Sequence, residues 1–549
     1  MWRDLGRVVL AAACGFTACA SPSPHTSKPV HAAAPPAPEE RARLVVVIVI
    51  DQMPSWAFEK YLPHLPEDGA IRRGVATGAY FPKVEYGYAT TLTGPGHAAI
   101  ATGAPPAISG ALSNSVMTDQ GRRPAVADGK HIVFGNETST ASPVLLRVDT
   151  IGDAWRKQTN NAAKVVALSM KDRAAILSGG RRANLALWFD KKARRFTTSS
   201  YYADSSPAWL DAWQEAHPIK DYLGPWLPAQ PELYQRVNGP DDQPGELDWM
   251  GFGKTFPHHP LKAKNPYKMF CVTPRSTELL FDLAKTTVEQ LELGADGVPD
   301  LLTVSVSSTD YAGHSYGPGS WEYFDNLIGA DRALTSFLAW LEARQPIAVL
   351  LTSDHGVAPL PERNPKGGRV FAGDVRGVAE AAVTSILGEG VSAIASLGRP
   401  FVRLTNAAKK GPNRKAVVAA IKKALEATPA IHAVYDIEAL MASKPSGDPI
   451  EPFVRASVAR PAPGDLYVVM AEGWVIDEGR PRGGGTAHGS PWPYDRTVPV
   501  VVWGSGVRSV HESRAIEQVR VGPTIAALLG SEVPPHVKVA PLDVMQRTP

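Results

Sequence analysis

Cysteine is scarce in this chain, with three residues in 549. Cys14 and Cys19 fall in the N-terminal segment, so only Cys271 remains beyond it. One thiol cannot form an internal disulfide, even in an oxidising compartment. Its neighbours in Met269-Phe270-Cys271-Val272 are apolar, which marks it as a small core residue rather than a reactive one. Long apolar runs are also missing. Past residue 18 no stretch approaches the roughly 18 residues that span a bilayer, so the mature domain is expected to be soluble. Neither sign of charge dominates. There are 57 Lys+Arg against 54 Asp+Glu, a formal charge of +3, and loss of Arg3, Arg7 and Asp4 with a signal segment would lower it by one. That balance argues against a nucleic-acid-binding surface, and Lys191-Lys192-Ala193-Arg194-Arg195 is expected to be a solvated face. No internal repeat is found.

What is present begins with an export signal. Arg3 and Arg7 give a positive start, and Val8 to Ala18 form an apolar run of about 11 residues, too short to cross a bilayer. Phe16-Thr17-Ala18-Cys19 resembles a bacterial lipobox, in which Cys19 would carry lipid after cleavage; Cys14 is the alternative. Residues 1–18 are therefore read as a signal peptide, and the Pro/Ala-rich stretch 19–43 as a linker. An exported protein follows, periplasmic or anchored to the outer membrane by that lipid.

From residue 44 the chain alternates strand and helix patterns. Leu44 to Ile50, Lys164 to Met170, Leu301 to Ser307, Ile347 to Ser353 and Val498 to Trp503 are continuous apolar runs, which read as parallel strands buried on both faces. Ser276 to Leu293 and Trp321 to Arg344 carry apolar residues at helical spacing. The expected fold is α/β, a mostly parallel central sheet with helices on both sides. Residues about 190–270 and about 362–480 read as insertions that could cap the sheet edge. The second holds a helix from Asn413 to Ala427 and strand-like runs Phe401 to Leu404 and Asp465 to Met470.

Ligands in such sheets sit at the carboxyl ends of strands, and Asp51, Lys171, Asp310 and Asp354 each lie at or just past one. Asp310 and His314 are four apart, so one helical turn would point both the same way, as a zinc site requires. Asp354 and His355 are adjacent in a strand-end turn, and His488 stands in the glycine-rich Gly485-Thr486-Ala487-His488-Gly489. Thr93 precedes Gly94-Pro95-Gly96-His97. A threonine is a poor nucleophile until a metal stabilises its alkoxide. Each element is weak alone, and their joint occurrence is what carries weight.

In that order the motifs resemble the alkaline phosphatase superfamily, and most closely its secreted, phosphate-irrepressible alkaline phosphatases with a threonine nucleophile. The resemblance runs from Val45 to about Arg508 and implies an alkaline-phosphatase-like α/β/α sandwich. By it, Asp310, His314 and His488 would bind one Zn²⁺, and Asp51, Asp354 and His355 a second, with Thr93 beside it. Asn114, Lys171 and Arg173 would contact the phosphoryl oxygens. His97 is read as structural, packed behind the nucleophile turn. The implied reaction is phosphate monoester hydrolysis through a phosphothreonine, releasing inorganic phosphate.

Charge counting agrees with that substrate. Two zinc ions are balanced by three carboxylates and a Thr93 alkoxide, and Lys171 and Arg173 then leave a positive excess suited to a monoester dianion. A phosphodiesterase or nucleotide pyrophosphatase on the same core is the alternative enzyme. A sulfatase would need C-x-P-x-R where Thr93 and His97 stand, and a phosphoglycerate mutase would be cytosolic with a serine. A non-catalytic phosphate- or metal-binding lipoprotein is the alternative outside enzymes. The ligands would also accept Mn²⁺ or Co²⁺. The partners expected are small phosphate monoesters and the membrane only through Cys19; a monomer is the default expectation, and the sequence leaves the oligomeric state open.

Overall fold

Val45, Val47 and Val49 bury their side chains in one hydrophobic cluster, while Leu44, Val46, Ile48 and Ile50 bury theirs in another. Alternate residues of a strand point to opposite faces, so this strand, β1 (Leu44–Ile50), is covered on both sides. Each such side chain contributes about 1.5–3 kcal/mol on burial. The computed structural model describes residues 41–118, 121–410, 412–477 and 483–546. The expected cleavage site and Cys19 lie outside the described residues.

Among these residues β1 is the centre of a ten-stranded sheet. The other strands are β2 (Ala79–Glu85), β3 (Val165–Ser169), β4 (Leu185–Asp190), β5 (Arg195–Thr197), β6 (Asp300–Val306), β7 (Ile347–Thr352), β8 (Thr497–Gly504), β9 (Val510–His511) and β10 (Ile516–Glu517). They lie in the order β9-β2-β8-β7-β1-β6-β3-β4-β5, with β10 also on β2. The helices that matter for the site are α1 (Thr93–Thr102), α2 (Asp172–Gly179), α3 (Pro274–Gln290), α4 (Ser308–Tyr316), α5 (Trp321–Glu342) and α6 (Val521–Leu529). Apolar residues of α3 and α5 join one cluster, those of α6 the other. The result is the expected α/β/α layering with a mostly parallel sheet.

One expectation fails. The run Val498–Trp503 is indeed a buried strand, but β8 is antiparallel to both β7 and β2. Burial on two faces produces the same apolar run in either direction, so the pattern cannot report polarity.

The two candidate insertions differ in how they pack. Within 362–480, the strands Ile394–Leu397, Phe401–Leu404, Leu466–Met470 and Ile431–Asp436 form a separate sheet in that order. With the helix Arg414–Glu426 they enclose their own core around Val402, Leu404, Ile421, Leu425 and Val434. Residues 190–270 share the main core instead: Trp213, Trp226 and Tyr234 bury against the α3–α5 layer. Cys271 is fully buried in that same core.

Candidate active site

Four neighbouring strands, β7-β1-β6-β3, run parallel and end in register: Val49 is level with Thr352, Ile50 with Val306, and Ser305 with Ser169. Adjacent strands are about 4.8 Å apart. The residues just past their ends therefore meet across a short arc, although Asp51 and Lys171 are 120 positions apart in sequence. Asp51 follows β1, Asp354 and His355 follow β7, Lys171 follows β3, and Asp310 sits in the first turn of α4 after β6.

The histidines are prepared as ligands. Nδ1 of His314 donates to Thr486 O (2.9 Å), that of His355 to Gly356 O (2.9 Å) and that of His488 to Thr91 O (2.7 Å). A carbonyl only accepts, so each Nδ1 carries the proton and each Nε2 presents its lone pair. Burial also pushes His355 down to about 3, against the pull of Asp354, and lowers His488. His355 and His488 are thereby held toward the neutral form that ligation demands.

The Nε2 atoms face carboxylates rather than donors. His314 and His488 lie 3.2 and 3.5 Å from Asp310 Oδ1, and His355 lies 3.5 Å from Asp51 Oδ1 and 3.3 Å from Asp354 Oδ2. Four ligands at 2.0–2.1 Å around a tetrahedral ion are about 3.3 Å from one another. Asp51 Oδ1, Asp354 Oδ2 and His355 Nε2 are buried without a hydrogen bond, which is costly unless a cation completes them. The residues thus fit divalent ions. Two ligand groups converge, Asp310/His314/His488 and Asp51/Asp310/His355. Asp310 belongs to both, whereas Asp354, expected in the second, reaches it through His355.

Lys171 is seated between the two groups. Its Nζ is 2.6 Å from Asp51 Oδ2 and 2.5 Å from Asp310 Oδ2, with the side chain 1% exposed. It caps one oxygen of each carboxylate and leaves the other facing the histidines. Burial alone would lower Lys171, but Asp310 and Asp51 raise it. Burial would raise Asp310, but Lys171 and His314 hold it well below the usual carboxylate range. Asp51 goes the other way, pushed up by burial and by Asp354 despite Lys171. The dry carboxylates call for more positive charge than one ammonium supplies.

Thr93 is the first residue of α1 and is 1% exposed. Arg173, in the first turn of α2, donates from Nη2 to Thr93 Oγ1 (3.4 Å), and Asn114 Oδ1 accepts from Gly94 N (2.7 Å). Both helices aim their positive ends at the site. His97 is buried behind this turn, donating from Nδ1 to Thr93 O (2.8 Å) and accepting from Ser305 Oγ (2.8 Å).

Two residues escaped the sequence analysis. Gln52 is buried with φ +66°; its Nε2 donates to Asp310 Oδ1 (2.8 Å) and its backbone N to Asp354 Oδ1 (3.2 Å). Nothing in the sequence marks it beyond its place after Asp51. Lys191 is the second, and it corrects the expected solvated face. It is partly buried, its ammonium touching the Tyr311 hydroxyl. The basic run alternates, with Lys192 and Arg194 outward, because it leaves the end of β4 as a turn.

Against this geometry, the family model for type I phosphodiesterase / nucleotide pyrophosphatase matches residues 45–491. The chain belongs to that family. Within it, and within the wider alkaline phosphatase superfamily, the chain is 29% identical to the alkaline phosphatase PhoV of Synechococcus elongatus, over 90% of this chain and 91% of that protein. It is 30% identical to a Myroides odoratus protein named a calcium-transporting ATPase, over 90% and 93%. The crystal structure of the alkaline phosphatase PafA superposes with a TM-score of 0.83 at 26% identity, covering 92% of this chain and 99% of that one. Among the described residues no helix of this family member is long and apolar enough to cross a membrane. Through His314 and His488 the first ligand group opens into a cleft of about 470 Å³, also lined by Asn114 and by Leu397, Arg399 and Phe401 from the segment that carries the second sheet.

Proposed function

We propose that this protein is an exported alkaline phosphatase that hydrolyses phosphate monoesters through Thr93. The observation that carries the reading is the pairing of Lys171, between both ligand groups, with Arg173, on the Thr93 oxygen. Asp310, His314 and His488 would hold one zinc ion, and Asp51, Asp354 and His355 the other. Bound there, the ions supply charge stabilisation for the attacking and leaving oxygens. Thr93 Oγ1 forms the new P–O bond as the ester P–O bond breaks and the alcohol departs. Water then cleaves the phosphothreonine, releasing phosphate and restoring the hydroxyl. Arg173 offers a two-pronged contact to the phosphoryl oxygens, Lys171 a point charge and Asn114 an amide N–H. A diester has one fewer anionic oxygen and uses this excess less well. The cleft beside His314 and His488 leaves room for varied alcohols. The signal segment, with lipid at Cys19, supports export, and the charge balance supports a surface that binds no nucleic acid.

The family's own description favours a second reading, a phosphodiesterase. The test is the ratio of kcat/KM for p-nitrophenyl phosphate to that for bis-p-nitrophenyl phosphate, with zinc and after chelation. A large, chelator-sensitive ratio is expected, and preference for the diester would move the enzyme to the other branch. Thr93→Ala should cut turnover by roughly three orders of magnitude or more while phosphate still binds. Unchanged phosphate binding with no wild-type turnover of either ester would make it a binding protein.

A further inference from the structure

Lys191 is a cation near the phosphoryl site to which the proposed reaction gives no part. It follows the last residue of β4, and its ammonium reaches the Tyr311 hydroxyl and lies 4.3 Å from that ring's centroid. The ammonium of Lys171 lies 5.1 Å from the same centroid. Two cations thus share one aromatic ring, an arrangement held by the ring's quadrupole. The ring itself is firmly placed: Tyr311 is 8% exposed, follows Asp310 on α4, and stacks on Trp249 at 6.3 Å and 22°. Trp249 in turn carries the ammonium of Lys268 at 4.3 Å.

An ammonium has three N–H groups. Asp51 Oδ2 and Asp310 Oδ2 take two from Lys171, so one remains for a phosphoryl oxygen. Where that third N–H points depends on how the ammonium is held between the carboxylates, and Tyr311 is the ring beside it. We propose that Lys191 is a positioning residue: through Tyr311 it fixes the ammonium of Lys171 and thereby sets the preference for phosphate monoesters over diesters. This rests on the role given to Lys171 above. A residue that only anchored the end of β4 would affect both ester classes alike.

The test compares Lys191→Met, Lys191→Arg, Tyr311→Phe and Lys171→Ala in the zinc-loaded protein. Each is measured for kcat/KM on the monoester and the diester, for inhibition by inorganic phosphate, for bound zinc and for Tm. Lys191→Met should lower monoester kcat/KM about tenfold and weaken phosphate inhibition similarly, the scale of one charge-assisted hydrogen bond. Diester kcat/KM should change less than about twofold, with zinc content kept. Lys191→Arg should recover most of the loss, and Tyr311→Phe, which keeps the ring but deletes the hydroxyl, should show a smaller fall of the same kind. In a Lys171→Ala background Lys191→Met should add nothing, the mark of a shared path. Equal losses on both esters, or losses additive with Lys171→Ala, would overturn the proposal. If Lys191→Met does not fold, Tyr311→Phe decides by the same ratio. A wild-type ratio in Lys171→Ala overturns the parent reading and this one with it. A changed ratio there, with wild-type ratios in Lys191→Met and Tyr311→Phe, overturns this one alone.

Discussion

Gly96 owes its place in the turn after Thr93 to the side chain it lacks. A Cβ there would stand 2.1 Å from the Asp354 backbone oxygen, so α1 can approach the turn after β7 only through glycine. Gly96→Ala must push the two apart and carry Thr93 away from the ligands. We expect kcat to fall by about a hundredfold or more, the scale set by a misplacement near 1 Å, with a Tm drop in the same protein; a variant with wild-type kcat would refute the argument. Gln52 makes the opposite use of a backbone constraint. Its left-handed conformation costs about 1–3 kcal/mol for a residue with a side chain, and it persists here while bonded to both Asp310 and Asp354. Gln52→Gly keeps the turn and deletes the side chain with its amide. Zinc affinity, followed by competition with a chelator, should weaken about 10–100-fold, as for other groups that orient ligands.

Between α5 and the segment 190–270 lies a buried acidic contact. His258 donates from Nδ1 to Phe252 O (3.0 Å), so its Nε2 accepts from the protonated carboxyl of Glu322 on α5 (2.8 Å), and Glu246 accepts from Gln243 N at 3.1 Å. Burial, reinforced by Glu322, pushes Glu246 up to about 9. The folded chain therefore holds a proton that the unfolded chain, with a carboxyl near 4.3, has released. Stability from this group is full below the unfolded value and is lost as pH rises through the folded one. Glu246→Gln cannot titrate, so its Tm relative to wild type should improve from pH 6 to pH 9. A constant difference across that range would show that the carboxyl is already ionised. The same level of organisation governs the candidate site. Four parallel strands present their ends side by side, and the helices that follow β3 and β6 turn Arg173 and Asp310 back over them.

Taken as one cooperative unit, the described domain would bind ions only when folded, because the candidate ligands follow β1 and β7 and come from α4 and the 485–489 loop together. Ions that bind only the native state stabilise it by about 2.7 kcal/mol at a hundred times Kd and about 4.1 at a thousand times. Chelation should therefore lower Tm, and returning zinc should raise it in a concentration-dependent way; an unchanged Tm would argue against ions at these ligands. The second sheet forms its own core yet supplies one wall of the cleft, so it can influence which alcohols enter.

Much of this was already readable in the chain. The runs Leu44–Ile50 and Ile347–Ser353 carry their burial in composition, and the spacing of Asp310 and His314 carries their common direction, because both are local consequences of backbone period. Direction and neighbours are not local. The antiparallel course of β8, the seat of Lys171 between Asp51 and Asp310, the inward turn of Lys191 and the strained bridge at Gln52 all depend on strand order and register. Periodicity tells a residue whether it is buried and on which face. Only the assembled sheet tells it which residue, a hundred or more positions away, it will meet there.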